Sequence, residues 1–337
     1  MNNNGKSPER VGRYAFVECI GHGASGRVYA AVDESMGRRV AVRVGLPGDP
    51  RVHQQARLTG QVAHPNVVSV LDLGEDEGTP FAVMELLEGE TLAANPPRSL
   101  DQQFDVMHQV CDGLQAAHDR GVVHGGMKPG HVFIQKDGVV KLFDFGSDGR
   151  GHVFTSPEQS AGVPGDARSD VYSTGATFHF LITGRAPHPP SIGSTQAPEG
   201  LRRAVLKATE QDPQRRHSSI NLLRAELDQV RQSRAGDRQR VLIAAFDRYR
   251  DIETLLGQRR ALGRRLGMAS IERECDAQLM SLASTFPEFA RAGLDINNIG
   301  EIDPARASEA LAQLQVWHND VAAEIALLRS ASGVHRR

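Results

Sequence analysis

The chain has 337 residues, 24% charged and 39% hydrophobic, with a formal net charge of −2, so it suits one large and one smaller globular domain and excludes a global field that would gather nucleic acid or anionic lipid. Cys19, Cys111 and Cys275 lie too far apart for a zinc or disulfide spacing and read as buried thiols in a reducing compartment. No apolar run reaches the ~18–20 residues of a membrane span, and Met1 to Val11 is polar, so a cytoplasmic protein is expected.

Residues 1–12 are rich in Asn, Gly and charge and predict a disordered start. From Tyr14 an alternating strand leads into Gly21-His22-Gly23-Ala24-Ser25-Gly26, and Val28 to Val32 reads as the next strand. Glycines at these places let backbone N–H groups approach phosphates with no Cβ in the way. A plain hairpin turn is the competing reading. Before a helix the same pattern would suggest a dinucleotide site, but a strand follows. Val40-Ala41-Val42-Arg43-Val44 is a further strand, and Phe81 to Leu92 reads as a strand running into a connecting segment. Leu100 to Asp119 has helical spacing through Phe104, Met107, Val110, Leu114 and Ala117.

The next stretch is His124-Gly125-Gly126-Met127-Lys128-Pro129-Gly130-His131, with Asp144-Phe145-Gly146 thirteen residues on. Together with the glycine pattern it resembles the catalytic and magnesium loops of the Hanks-type Ser/Thr protein kinases, written H-R-D-L-K-P-E-N and D-F-G. The resemblance covers about residues 13–228 and implies a bilobal kinase-like fold. It makes Gly21, Gly23, Gly26, Val28, Ala41, Met84, Phe133 and the backbone of Glu85 and Leu87 the nucleotide-binding positions, with Met84 the gatekeeper. Phe133 would support adenine by stacking or fill its space. ATP with Mg²⁺ is the implied cofactor, with Asp144 on the metal; the other reading of Asp144 is a carboxylate kept for loop geometry.

The chain departs from the family where phosphate is transferred. The catalytic Asp falls on Gly126, which can neither accept a hydroxyl proton nor orient an attacking oxygen. The metal-binding Asn falls on His131 and the H-R-D Arg on Gly125, while Lys128 is retained. Arg43 stands at the phosphate-binding Lys of V-A-I-K, and counting nine residues back from His64-Pro65-Asn66 puts Gln55 at its helix Glu. An Arg for that Lys is not a conservative exchange, and a neutral Gln holds it less well than a carboxylate. A solvated surface charge is the other reading of Arg43. Only nine residues, Ser147 to Thr155, separate Gly146 from Ser156-Pro157-Glu158, where active relatives use roughly twenty or more to build a substrate platform. Residues that hold the large lobe together remain. Asp170 is expected to cap backbone amides of the catalytic loop, and Arg216 to pair with Glu158.

Gln232 to Asp237 is polar and contains Gly, which predicts a linker over 231–238. After it, Leu242, Ala245, Tyr249, Ile252 and Leu256 form one apolar stripe, Ile271, Cys275, Leu279 and Leu282 a second, and Leu311, Leu314, His318, Val321, Ile325 and Leu328 a third. The last helix is expected to begin near Pro304. Three stripes predict a helical bundle, with a homodimer seam as the sharper alternative. His318 reads as a satisfied polar residue within its stripe. Arg231 to Arg265 holds ten arginines against four acids, but without interleaved aromatics a solvated face is favoured over nucleic acid. His118, His124 and His131 are close along the chain, yet no Cys or acidic companion completes a metal site.

The expectation is therefore an α+β protein: a bilobal protein-kinase-like domain over 13–230, a linker, and an all-α bundle over 239–337. Its expected function is that of a catalytically silent kinase fold, a scaffold or switch that binds signalling partners. A weak or unconventional kinase is the enzyme alternative, and an ATP-gated binder without turnover the third.

Overall fold

The computed structural model describes residues 9–23, 26–147, 151–187, 197–292 and 304–331. The chain divides into two compact units, Met1–Val230 and Arg231–Arg337.

The first unit begins with a six-stranded antiparallel sheet. Its strands are β1 (Arg10–Val11), β2 (Tyr14–Gly23), β3 (Gly26–Asp33), β4 (Arg38–Val44), β5 (Val70–Asp76) and β6 (Thr79–Glu85), ordered β1-β2-β3-β4-β6-β5. Helix α1 (Arg51–Gly60) lies between β4 and β5 in the chain. Alternation decides which side chains reach the cleft. Val40, Val42 and Val44 of β4 join Tyr14, Tyr29, Phe81 and Val83 in one core cluster. Ala41 and Arg43 fall on the opposite face, paired across β6 with Met84 and Ala82. There Ala82 packs against Val52 and Ala56 of α1. Residues before 13 already belong to the fold, because β1 pairs with β2 and Val11 is buried. Residues 1–8 lie outside the described residues, as do Ala24 and Ser25 of the glycine loop.

The rest of this unit is mainly helical, with a small sheet of β7 (Gly89–Thr91), β8 (Val132–Gln135) and β9 (Val140–Leu142). Helix α2 (Leu100–His118) is capped by Ser99, whose side chain accepts the Gln102 amide. It buries Phe104, Met107, Val110 and Leu114 in the main core. After the short α3 (Pro157–Ser160), helix α4 (Ala167–Thr183) starts in a capping box made by Asp166 and Ser169 and stops at left-handed Gly184. Helix α5 (Glu199–Ala208) and the first turns of α6 (Ile220–Arg265) close the same core through Leu201, Val205, Leu223 and Leu227.

The boundary between the units falls within α6, so residues 231–238 are helical where a linker was expected. Arg, Gln and Ala are good helix formers, and a lone Gly236 costs only about 1 kcal/mol. In the second unit, α6 turns at Leu266-Gly267-Met268, with Gly267 left-handed (φ 70°) and the Met268 amide returning to the Gly263 carbonyl at 2.9 Å. Helices α7 (Ala269–Thr285), α8 (Pro287–Ala292) and α9 (Pro304–Ala331) follow. All three stripes contribute to one core, including Tyr249, Ile252, Leu256, Leu282, Leu314, Val321 and Ile325. Phe286 and Phe289 add to it. Two expectations need correcting. Cys19 is exposed rather than buried, because it lies on a stretch of β2 whose side chains are mostly in solvent. His318 is not satisfied, since its buried Nδ1 has no hydrogen-bond partner among the described residues.

Candidate functional site

A cleft of about 880 Å³ opens between the sheet and the helical part of the first unit. It gathers Gly21, Gly23, Gly26 and Val28 from β2 and β3, Ala41 and Arg43 from β4, Gln55 from α1, and Met84, Glu85 and Leu87 at the end of β6. Lys128, His131, Phe133 and Asp144 complete it. The volume is that of a small-molecule pocket. Phe133 is one of its lining residues. Gly125 and Gly126 do not line it; Gly125 borders a separate cavity of about 330 Å³ with Ser147 and Gln159.

The glycines of the loop differ in what requires them. At Gly26 (φ 133°) a Cβ would sit 2.0 Å from the Val44 carbonyl oxygen, so strand packing itself demands glycine. A Cβ at Gly23 would meet nothing within 4 Å, and one at Gly21 would make only ordinary contact. Bare backbone there keeps the cleft clear rather than letting the fold close.

Deep in the cleft, Arg43 donates to Asp144 Oδ1 at 2.6 Å and to Gln55 Oε1 at 3.1 Å. Its side chain is only 14% exposed, so it is no solvated surface charge. Both expected partners of the phosphate clamp are thus changed, yet the clamp closes, with Asp144 supplying the carboxylate that Gln55 lacks. Burial pushes the Asp144 carboxyl up, but the charge and hydrogen bond of Arg43 outweigh it and hold the pKa below the usual range. Asp144 has φ 68°, a left-handed conformation that Asp tolerates better than most residues. Its carboxylate faces Arg43 through Oδ1 and His131 through Oδ2.

His131 ends a 3₁₀ turn, Pro129–His131, and its Nδ1 bonds the Gly126 carbonyl at 2.8 Å. Its Nε2 lies 3.5 Å from Asp144 Oδ2. Burial drives its pKa down to about 3, overriding the pull of Asp144, so the ring is neutral. An acidic companion to a histidine is therefore present after all, brought from elsewhere in the chain. His118 and His124 are engaged differently. His118 bonds Asp170 at 2.8 Å, and His124 Nε2 donates to the Phe143 carbonyl at 3.1 Å. Among the described residues no three His, Cys, Asp or Glu side chains group as a metal site.

The catalytic-loop remnant is held as the sequence suggests. Asp170, fully buried, accepts the amides of His124 and Gly125 at 2.8 Å each. Gly126 spends its own groups within the loop: its amide donates to His124 Nδ1 and its carbonyl receives His131. Glu158 takes a bidentate pair from Arg216 at 2.7 and 2.8 Å and a bond from Ser169. Gly125 is left-handed (φ 77°), and a Cβ there would lie 2.4 Å from the Ser147 carbonyl oxygen. The start of the shortened segment has closed over the position where the family carries Arg. Gln159 fixes the same loop by donating to the Gly125 carbonyl at 2.7 Å.

Several cleft residues escaped the sequence reading, among them Arg51, Val68, Thr91 and one with chemistry of its own. His152, the one histidine of the Ser147 to Thr155 segment, accepts from the Lys128 ammonium through Nε2 at 3.2 Å. No carboxylate among the described residues pairs with Lys128. Its being a base-capable side chain in so short a segment was the available signal.

A model of the protein kinase domain matches residues 14–243, two thirds of the chain. The chain belongs to the protein kinase family. It is 33% identical over 264 residues to the serine/threonine-protein kinase Pkn1 of Myxococcus xanthus, covering 65% of this chain and 38% of that protein. It is 35% identical over 206 residues to a probable serine/threonine-protein kinase PknB of Corynebacterium glutamicum, covering 52% of this chain and 32% of that protein. The chain thus spans about a third of the length of these curated relatives. The kinase domain of Mycobacterium tuberculosis PknI superimposes with a TM-score of 0.59 at 22% identity, covering 67% of this chain and all of that one. That likeness supports the fold alone. Among the described residues no helix is long and apolar enough to cross a membrane.

Kinases of this family generally use ATP with Mg²⁺. The cleft and its bare glycine loop fit a nucleotide. The donor set fits Mg²⁺ poorly. Arg43 has taken one oxygen of Asp144, and His131 offers nitrogen where a hard cation demands oxygen.

Proposed function

We propose that this protein is a kinase-fold signalling module that has lost phosphoryl transfer and acts as a scaffold or switch through protein partners. The observation that carries this reading is Gly126: the position of the substrate-activating carboxylate has no side chain, and its backbone groups are committed to His124 and His131. The shortened segment over Gly125 supports it, because little platform remains for an acceptor peptide. The helical unit after Val230 is the proposed partner-binding part, acting alone or as a homodimer, with no role in nucleic-acid binding. The test is transfer of radiolabelled phosphate from ATP to the chain itself and to a general acceptor protein. Incorporation should not exceed that of Asp144→Ala. Robust transfer abolished by Asp144→Ala would overturn the reading.

His152 favours a second reading, a weak kinase. An imidazole acceptor beside Lys128 could stand in for the missing base, and a positioned base contributes ~10²–10⁴-fold. In that case transfer is measurable and His152→Ala lowers it while leaving the melting temperature unchanged. ATP-gated binding without turnover is the remaining outcome; there ATP raises the melting temperature and no phosphate is transferred.

A further inference from the structure

The wall of the cleft carries its own cations. Arg43, Arg51 and Lys128 stand there against the carboxylates Glu85 and Asp144. Most of these charges are matched in pairs: Glu85 holds Lys141 at 2.8 Å, Asp49 holds Arg51 at 2.6 Å, and Asp144 holds Arg43. Lys128 differs, since it meets the His152 imidazole at 3.2 Å and no carboxylate among the described residues. Arg43 is engaged by two oxygens, Asp144 Oδ1 at 2.6 Å and Gln55 Oε1 at 3.1 Å. A guanidinium fork takes phosphate by the same geometry as carboxylate. Asp144 thus fills on Arg43 the place that a phosphate would take.

The same contacts consume what a hard divalent cation needs. Mg²⁺ is held through carboxylate and phosphate oxygens in a near-ideal octahedron. Here a guanidinium lies on one oxygen of Asp144, and the other faces the His131 ring, 3.5 Å from Nε2. A polyphosphate can be neutralised by a metal or by protein cations, and this cleft is equipped for the second. We propose that it takes a nucleoside polyphosphate as the free anion, held by Arg43 and Lys128, with Asp144 as an internal anion that the phosphates displace from Arg43. The proposal rests on reading the cleft as a nucleotide site and not on the loss of phosphoryl transfer. It reverses the sign of one substitution. Where Asp144 serves as a metal ligand, its loss weakens nucleotide binding; where it competes with phosphate, its loss tightens it.

The test is calorimetric titration of the full-length protein with ATP, in EDTA and in excess Mg²⁺. ATP should bind in EDTA, and its apparent affinity should fall about threefold or more in Mg²⁺, because the metal competes for the same phosphate oxygens. Adenosine, which lacks the phosphates, should bind at least about tenfold more weakly than ATP. Asp144→Asn keeps the side chain's size and should tighten ATP about tenfold in EDTA, as a like charge leaves the phosphate end. Lys128→Met should weaken ATP about tenfold, the worth of a hydrogen bond from a charged group, at an unchanged melting temperature. Binding that requires Mg²⁺ or is tightened by it overturns the proposal in the wild-type protein, with no variant needed. So does the absence of binding in both buffers, adenosine binding as tightly as ATP, or weaker binding by a folded Asp144→Asn. Binding is read without turnover, so a failure here is separable from any result of the phosphate-transfer assay.

Discussion

Asp144 and Arg43 are both mostly withdrawn from water, at 19% and 14% side-chain exposure, and each is the other's compensation. Removing one partner of such a pair leaves an uncompensated charge and typically costs ~3–5 kcal/mol, while removing both is much milder. Asp144→Ala and Arg43→Ala should therefore each lower stability by about 3 kcal/mol. The double variant should lose less than the sum, with a coupling of ~1–3 kcal/mol in a denaturant double-mutant cycle. Strict additivity would show that the 2.6 Å contact contributes nothing.

Glu158 makes a pH prediction at the same scale. Burial raises its carboxyl, but the hydrogen bonds from Arg216 and Ser169 outweigh that and bring its pKa down to about 2, against 4.5 when unperturbed. Because the folded value is the lower one, the stabilisation is fully present above about pH 4.5 and is lost as pH falls towards 2. Glu158→Gln should lose about 3 kcal/mol at pH 7, where the wild type keeps its ion pair. Between pH 4.5 and 2.5 the two proteins should converge in melting temperature. A gap that stays constant through that window would mean the Arg216 pair is not what sets this carboxyl.

At the scale of elements, the glycine loop and the catalytic-loop remnant use the same residue for opposite reasons. Gly125 has φ 77° and the Ser147 oxygen 2.4 Å from where a Cβ would go, so Gly125→Ala should cost about 1–3 kcal/mol. Gly23 has neither constraint, and Gly23→Ala should stay within about 0.5 kcal/mol of wild type by chemical denaturation. Equal losses at the two positions would refute that division. Much of this was legible in the sequence, because motif offsets count along one strand or loop. The resemblance to V-A-I-K singled out Ala41 and Arg43, which both line the cleft, Asp170 beneath the catalytic loop was readable from its motif, and Pro304 marked the start of α9. What was not legible depended on distance through space. Arg43 meets Asp144 from a hundred residues away, and nothing local says that the missing carboxylate of Gln55 is made good there. His152 meets Lys128 from 24 residues along the chain, and no local pattern announces that contact. The helical passage through 231–238 failed for a different reason: polarity and one glycine imitate a linker, yet Arg, Gln and Ala sustain a helix.

At the scale of the whole molecule, the apolar residues divide into separate cores. One set of clusters is built from the sheet and the helices up to Val230, and another from Ala245, Tyr249, Leu282, Phe286, Phe289, Leu314 and Ile325. Leu314 is fully buried in the second, and its truncation to Ala removes packing that neighbours only partly refill, a loss of ~2–5 kcal/mol. A cut of that size confined to one core tests whether the units unfold as one. If each core sustains its own cooperative transition, calorimetry of the full chain resolves two, and Leu314→Ala lowers only one of them. Glu158→Gln, on the other side of the boundary, should lower the other. We expect this crossed pattern, since no residue of the second cluster belongs to the first. A single transition lowered by both variants would mean that α6, which runs through the boundary, couples the units into one folding body.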